Sequence, residues 1–206
     1  MAQQRTVIDD GIEPPVQQPA EFQAVLEALA TVHPRAEIAL EDIPAPKRLA
    51  PWSHAVGVSV ADPTDDEEEL ASGRFIVLFD PDGHEAWQGT TRCVGYVSAS
   101  TDSEMVDDSM FSEVAWSWLT DALVEHGAVH HSVGGTVTRT ASTRFGSIAN
   151  PEHSVDVEIR ASWTAEGTDL DTHLTAFLTV LGNAAGLPPE GIHLLGPAGL
   201  TTERRD

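Results

Sequence analysis

"VDVEIRASW", residues 155–163, decides how the rest of this sequence is read. Val155, Val157, Ile159, Ala161 and Trp163 alternate with Asp156, Glu158, Arg160 and Ser162. Successive side chains of a strand point to opposite faces, so this segment predicts a strand with one apolar and one polar face. Such a strand fits a sheet that is covered on one side and wet on the other. Its neighbour is supplied by "VHHSVGGTVTRTASTRFG", residues 129–146, which reads as the preceding strand. In an antiparallel hairpin, residues opposite one another have numbers of constant sum. A sum of about 300 sets Arg144 against Asp156, Ser142 against Glu158 and Thr140 against Arg160 on the polar face. On the other face Val137 meets Trp163, Ala141 meets Ile159 and Phe145 meets Val155. A change of one in the sum would set apolar against polar, so parity is the secure part of this expectation.

Working outward, the first helical spacing is in "PAEFQAVLEALATVH", with Phe22, Val25, Leu26, Leu29 and Val32 on one stripe. "AEIALEDI" reads as a short strand, and the proline-punctuated segment 44–51 as a connection. "HAVGVSVA" alternates, with Val56, Val58 and Val60 on one face. "DPTDDEEELASG" reads as a solvated acidic loop. "RFIVLFD" is apolar at both parities and belongs in the middle of a sheet. "DPDGHEAWQGTT" reads as a turn, because its glycine does not sit where a calcium-binding loop needs it, and "RCVGYVSAS" as the next strand.

"FSEVAWSWLTDALVEHG" predicts a helix with Phe111, Val114, Ala115, Trp118, Leu119 and Ala122 inward. Asp107 and Asp108 suit its start and Gly127 its end. "TDLDTHLTAFLTVLGNAAG" predicts the last helix, with Leu170, Leu174, Phe177, Leu181 and Ala185 inward, Thr168 as its cap and Gly186 as its stop. The expected fold is α+β: an antiparallel sheet of about six strands with helices on one face, in the order α-β-β-β-β-α-β-β-α. One domain spans 19–196, between a disordered N-terminal arm (1–18) and a flexible C-terminal tail (197–206).

Composition restricts function. With 11 basic and 33 acidic residues the formal net charge is −22, which argues against direct binding to nucleic acid or to an anionic membrane. No apolar run approaches the length of a membrane span, and the first residues hold no apolar signal core. Cys93 is the single cysteine, so a reducing cytoplasm is the expected compartment, and its mid-strand position suits a small buried side chain better than a nucleophile.

Candidate chemistry centres on the 129–146 stretch. His130 and His131 point to opposite faces of a strand and cannot share a metal ion, so no metal site and no cofactor is expected. Gly134-Gly135 marks either a bulge or a close backbone approach. Arg144 and Arg160 lie on the wet face, where cross-strand charge pairing is their simplest role. Arg139 shares parity with Val137 and Ala141 and points toward the core side. It is either a structural ion pair, with Asp80, Asp42 or Glu113 as partner, or a ligand anchor, with His131 and Arg92 nearby. His131 and Arg139 share a face only if no bulge intervenes at Gly134-Gly135. Trp116 is expected either to cover the sheet edge or to sit in an interface.

The series "IPAPKRLAPW", "EAWQGTTRCVGYVSA", "EVAWSWLTDAL", "GGTVTRTASTRFG" and "VEIRASWT" resembles an actinobacterial family catalogued as a domain of unknown function, number three thousand in its series, over roughly residues 20–196. The resemblance implies a bacterial cytosolic protein with no assigned activity. Its genes often neighbour one for a ribonuclease D-like nuclease, which implies at most a shared pathway. The element order also resembles the secretion-chaperone type of α+β fold, whose members bind partner proteins, although this chain has one strand more in its first run. Three functions follow as expectations. The first is a non-enzymatic cytosolic binding or adaptor protein that engages a protein partner. The second is a small-anion-binding enzyme or sensor using Arg139, with His131 and Arg92. The third is an accessory to RNA processing that acts through a protein partner.

Overall fold

The hairpin around 155–163 is the outer part of a six-stranded antiparallel sheet in a computed structural model that describes residues 17–63, 65–101, 109–148 and 154–189. In chain order the elements are α1 (Ala20–Leu29), β1 (Ile38–Asp42), β2 (Trp52–Asp62), β3 (Asp65–His84), β4 (Gly89–Thr101), α2 (Phe111–Glu125), β5 (His130–Ser142), a 3₁₀ turn (Gly146–Ile148), β6 (Ser154–Ala165) and α3 (Leu170–Ala184). The fold is therefore α+β, in the order the patterning predicts. The sheet order is β1-β2-β3-β4-β6-β5, so β6 inserts between β4 and β5, and β1 and β5 are the edges.

The predicted parity of the last hairpin is observed, while the sum is 296: Val137 pairs with Ile159, Thr140 with Asp156 and Ala141 with Val155. Ser142 pairs with Ser154, leaving the 3₁₀ turn in a longer connection than a sum of 300 assumed. Arg144 and Phe145 consequently lie beyond the strand rather than in the ladder, and Phe145 is 78% exposed.

One face of the sheet carries the core. Val56, Val58, Phe75, Val77, Phe79, Val97, Val157, Ile159 and Trp163 are buried there against the helices. α3 is buried almost all round, and its Phe177 ring lies 5.4 Å from that of Phe75, which in turn is 6.0 Å from Trp163. Gly95 makes room for it: a Cβ there would stand 3.0 Å from a Phe177 ring carbon. α1 closes the other end, Phe22 stacking on Phe79 at 5.6 Å. Cys93 is fully buried opposite Trp163, and burial pushes its thiol pKa up.

Four local expectations need correction. The acidic 62–73 stretch is not a loop: the chain turns at Pro63 and continues as β3 from Asp65, in irregular register with β2. The ladder with β2, regular from Trp52 to Val60, carries on through Ala61↔Glu69 and Asp62↔Asp65 and outweighs the poor strand propensity of acids. The 80–91 turn is shorter than predicted, since β3 runs to His84 and the turn proper is Glu85–Gln88. Val114 is 45% exposed, because the buried stripe of α2 rotates toward Leu123. Thr168 does not cap α3; its carbonyl accepts from the Leu170 N–H, and Asp169 holds the cap position. Residues 1–16 of the expected arm, the tail 197–206, and Asp107 and Asp108 lie outside the described residues.

Candidate functional site

The three described helices pack on one side of the sheet; the other side, which no helix among the described residues covers, is built from the opposite parity of every strand and is called the helix-free face. Register places these outward residues in rows that cross the sheet. One row is Glu41, Gly57, Arg74, Tyr96, Arg160 and Thr136. The Tyr96 hydroxyl donates to Glu158 at 3.0 Å, Arg160 contacts Glu158 at 2.6 Å, and the Arg160 guanidinium lies 5.5 Å from the Tyr96 ring centroid. Arg160 therefore pairs along its own strand rather than across strands as expected, because Glu158 two residues back lies on the same face. A groove of about 590 Å³ between Glu41, Gly57, Glu69, Arg74 and Tyr96 borders this network.

A second row, four residues along, is Ser53, Leu78, Arg92, Thr164 and His131. Arg92 is half-buried here, and burial lowers its pKa from the ordinary arginine value. Its Nη1 donates to the Ser132 carbonyl at 2.9 Å and to Thr164 Oγ1 at 3.0 Å, and its Nη2 donates to Ser162 Oγ at 2.6 Å. All three partners are neutral. His131 Nδ1 lies 3.0 Å from Ser132 Oγ, which donates to Gln88 Oε1 at 3.0 Å. Thr164 Oγ1 also donates to the Trp87 carbonyl at 2.6 Å, so the Glu85–Gln88 turn folds over the end of β6 and brings Gln88 within reach. Ser132 and Gln88 both hold left-handed backbones, at φ 51° and 58°. Only Arg48 shares that conformation among the described non-glycine residues. Strained residues of this kind cluster at functional sites more often than elsewhere.

The bulge lies where the glycines stand. Register shifts between His131 and Gly134, so His131 pairs with Thr164 and Arg139 with Val157. That shift puts His131 on the helix-free face and Arg139 on the helix-side face, some eight residues or roughly 25 Å away. Arg92 and His131 are brought together; Arg139 is not with them. Nor is Arg139 buried, because β5 is an edge strand and α2 covers only its first half. Its expected core environment is thereby corrected. Asp42 is on the far edge and lies 3.4 Å from His54, while Asp80 Oδ1 accepts from the Asp82 N–H. Gly135 is also a close approach: a Cβ there would strike the Arg160 carbonyl and stand 2.8 Å from the Trp116 ring. Trp116 therefore covers the sheet edge.

His130 faces the helix side opposite Ala165, so the two adjacent histidines are on opposite faces. Among the described residues no three His, Cys, Asp or Glu side chains are placed to hold a metal ion. Sequence reasoning missed His173, buried in α3, whose Nδ1 accepts from Trp163 Nε1 at 2.9 Å. Burial pushes its pKa down to about 4, with His130 adding to the shift and Asp171 opposing it. Its place amid the apolar positions of the helical repeat was the available signal. The Tyr96–Glu158 contact joins strands far apart in the chain and left no local one.

A six-stranded antiparallel sheet with helices on one side, an α+β fold, defines the class. The chain belongs to the family described as "Protein of unknown function (DUF3000)", whose model matches residues 18–193. Neither the curated proteins nor the solved structures contain a significant match. Among the described residues no helix is long and apolar enough to cross a membrane.

Proposed function

We propose that this chain is a non-enzymatic binding protein that takes up an extended segment of a protein partner along β5. The observation that carries the reading is the character of that edge. β5 runs for 13 residues, is exposed along most of its length, and keeps unbroken register with β6 from Gly134 to Ser142. Natural sheets blunt long edges with proline, lysine or inward charge, or cover them. β5 has neither proline nor lysine; its bulge ends at Gly134, and its one charge at inward parity, Arg139, is exposed rather than buried under a helix. Its outward positions Thr136, Thr138 and Thr140 are β-branched, and among the described residues no strand lies beyond it. Strand addition uses such an edge: main-chain hydrogen bonds supply affinity and alternate side chains supply selection.

Charge selects the partner. Residues 126–151 contain no Asp or Glu, in a chain of net charge −22. Of the two edge strands, β1 carries Glu41 and Asp42 and β5 carries no acid, so an extended segment bearing acidic side chains meets the acid-free edge here. The cytoplasm is the compartment this reading assigns, supported by the single buried cysteine.

A photo-crosslinking side chain at Thr138, with one at the exposed Asp121 of α2 as control, tests the reading in cells. The captured segment, made as a peptide, should bind the full chain and slow amide exchange along β5. Protection confined to the helices or to β1, or capture equal at both positions, would overturn it.

A further inference from the structure

We propose that the groove over Gly57 is a binding site for a free α-amino acid with a basic side chain. The site lies over β2, toward the opposite edge of the sheet from β5, so it goes beyond strand docking. The groove holds about 590 Å³, a size that suits a small molecule. Glu41, Gly57 and Arg74 stand side by side on neighbouring strands, so the residue between the acid and the base has no side chain. Glu41 leans into the space this leaves. Its Oε1 lies 3.7 Å from the position a Gly57 Cβ would take, and Ile43 Cγ2 lies 3.0 Å from the same position. Arg74 lines the opposite wall, with Tyr96 beyond it, fixed by the bond from its hydroxyl to Glu158. Glu41 and Arg74 face each other across the floor without meeting: among the described residues neither side chain has an ion pair or a hydrogen bond.

Other charged groups of this face are satisfied within the protein. Arg160 holds Glu158, and Arg92 is engaged by Ser132, Thr164 and Ser162. In the groove, the side chains of Glu41, Ser59, Glu69, Ser72 and Arg74 have no partner among the described residues. Ser59 and Ser72 are opposed in the β2–β3 ladder and half-buried, so their hydroxyls border the floor. Charge selects the ligand. The two carboxylates and one guanidinium match a basic amino acid, which brings a carboxylate for Arg74, an ammonium for Glu41 and a side-chain cation for Glu69. Glu69 pairs with Ala61, which is four residues along β2 from Gly57, or roughly 13 Å. Glu41 leans inward and Glu69 lines the same groove, so an extended lysine side chain reaches from one to the other. The net charge of −22 favours a ligand of net positive charge over an acidic one.

Lysine, cadaverine (lysine without its carboxylate) and glucose are titrated into the full chain at low salt while the backbone amides of Gly57, Ser59 and Ser72 are followed by NMR. Lysine should give a saturable shift at these amides, with a Kd on the order of 1 mM. Cadaverine carries more positive charge but offers nothing to Arg74, and should bind about tenfold more weakly. Arg74→Gln should weaken lysine binding about tenfold and leave cadaverine no weaker, whereas Glu41→Gln should weaken both. Both residues are exposed, so both variants should keep the parent's unfolding temperature. Should either fail to fold, the comparison of lysine with cadaverine on the parent decides. The proposal is overturned by no saturable shift with lysine, or by cadaverine binding as tightly as lysine, which would mean attraction by charge alone. Glucose binding as tightly as lysine, or a folded Arg74→Gln variant with the parent's affinity for lysine, would overturn it equally.

Discussion

Ser132 donates its hydroxyl to Gln88 Oε1 at 3.0 Å, and both residues hold left-handed backbones. The bond joins the bulge of β5 to the turn between β3 and β4, two segments 44 positions apart in the chain. Neither segment adopts its conformation for local reasons alone, since serine and glutamine gain nothing intrinsic at positive φ. Each is held by the other and by the ties from Arg92 to Ser132 and from Thr164 to Trp87.

Substitution at 132 separates backbone strain from side-chain bonding. A β-branched residue at φ 51° is strained, so Ser132→Val should cost about 2 kcal/mol. Ser132→Gly loses two exposed hydrogen bonds of the hydroxyl, to His131 and Gln88, but relieves the strain, and should fall within about 1 kcal/mol of the parent. Urea unfolding of the two variants checks the contrast, and equal losses would show that the hydroxyl rather than φ dominates.

Arg92 and Arg139 should differ in what they hold up. Removing Arg92 leaves the Ser132 carbonyl and two hydroxyls short of a charged donor, so Arg92→Ala should cost about 2 kcal/mol. Arg139 is exposed on an edge strand, and Arg139→Ala should cost under about 1 kcal/mol. Thermal unfolding of both variants ranks them, and a larger loss at Arg139 would contradict the placement.

How far the sequence could be read follows from the range of each interaction. The alternation of Val155–Trp163 is local, and it gave the strand, its two faces and the parity of its pairing with β5. The sum of 296 depended on the connection of 143–153, whose length in the hairpin no periodicity encodes. The insertion of β6 between β4 and β5 was equally silent, because strand order is set by which apolar faces close over α3. Of the three residues singled out for anion binding, Arg92 and His131 share a row and Arg139 does not. One bulge decides this, and Gly134-Gly135 signalled that a bulge was available without fixing its side.

Gly135 should be the least replaceable residue of β5. An added Cβ meets the Arg160 carbonyl, which is backbone and cannot swing away, as well as the Trp116 ring at 2.8 Å. Gly135→Ala should therefore lower stability by about 2–4 kcal/mol and speed amide exchange along β5. Adding Trp116→Ala should not restore the loss, because the backbone clash remains. A full rescue by the double variant would assign the clash to the ring.

His173 makes stability depend on pH. Its ring is buried, accepts a hydrogen bond from Trp163, and has its pKa pushed down from 6.5 to about 4. Between those values the unfolded chain takes up the proton that the folded chain refuses, so protons favour unfolding. The stabilisation is complete above pH 6.5, falls as pH drops toward 4, and declines no further below that on account of this residue. The size is on the order of 3 kcal/mol. Carboxylates titrate in the lower part of the same window, so the measurement is a difference. His173→Gln keeps an acceptor for the Trp163 N–H but cannot be protonated. Denaturant unfolding at several pH values should show the parent losing about 3 kcal/mol more than this variant between pH 7 and pH 4. Parallel curves for the two proteins would mean that the folded state protonates His173 without cost, against its burial.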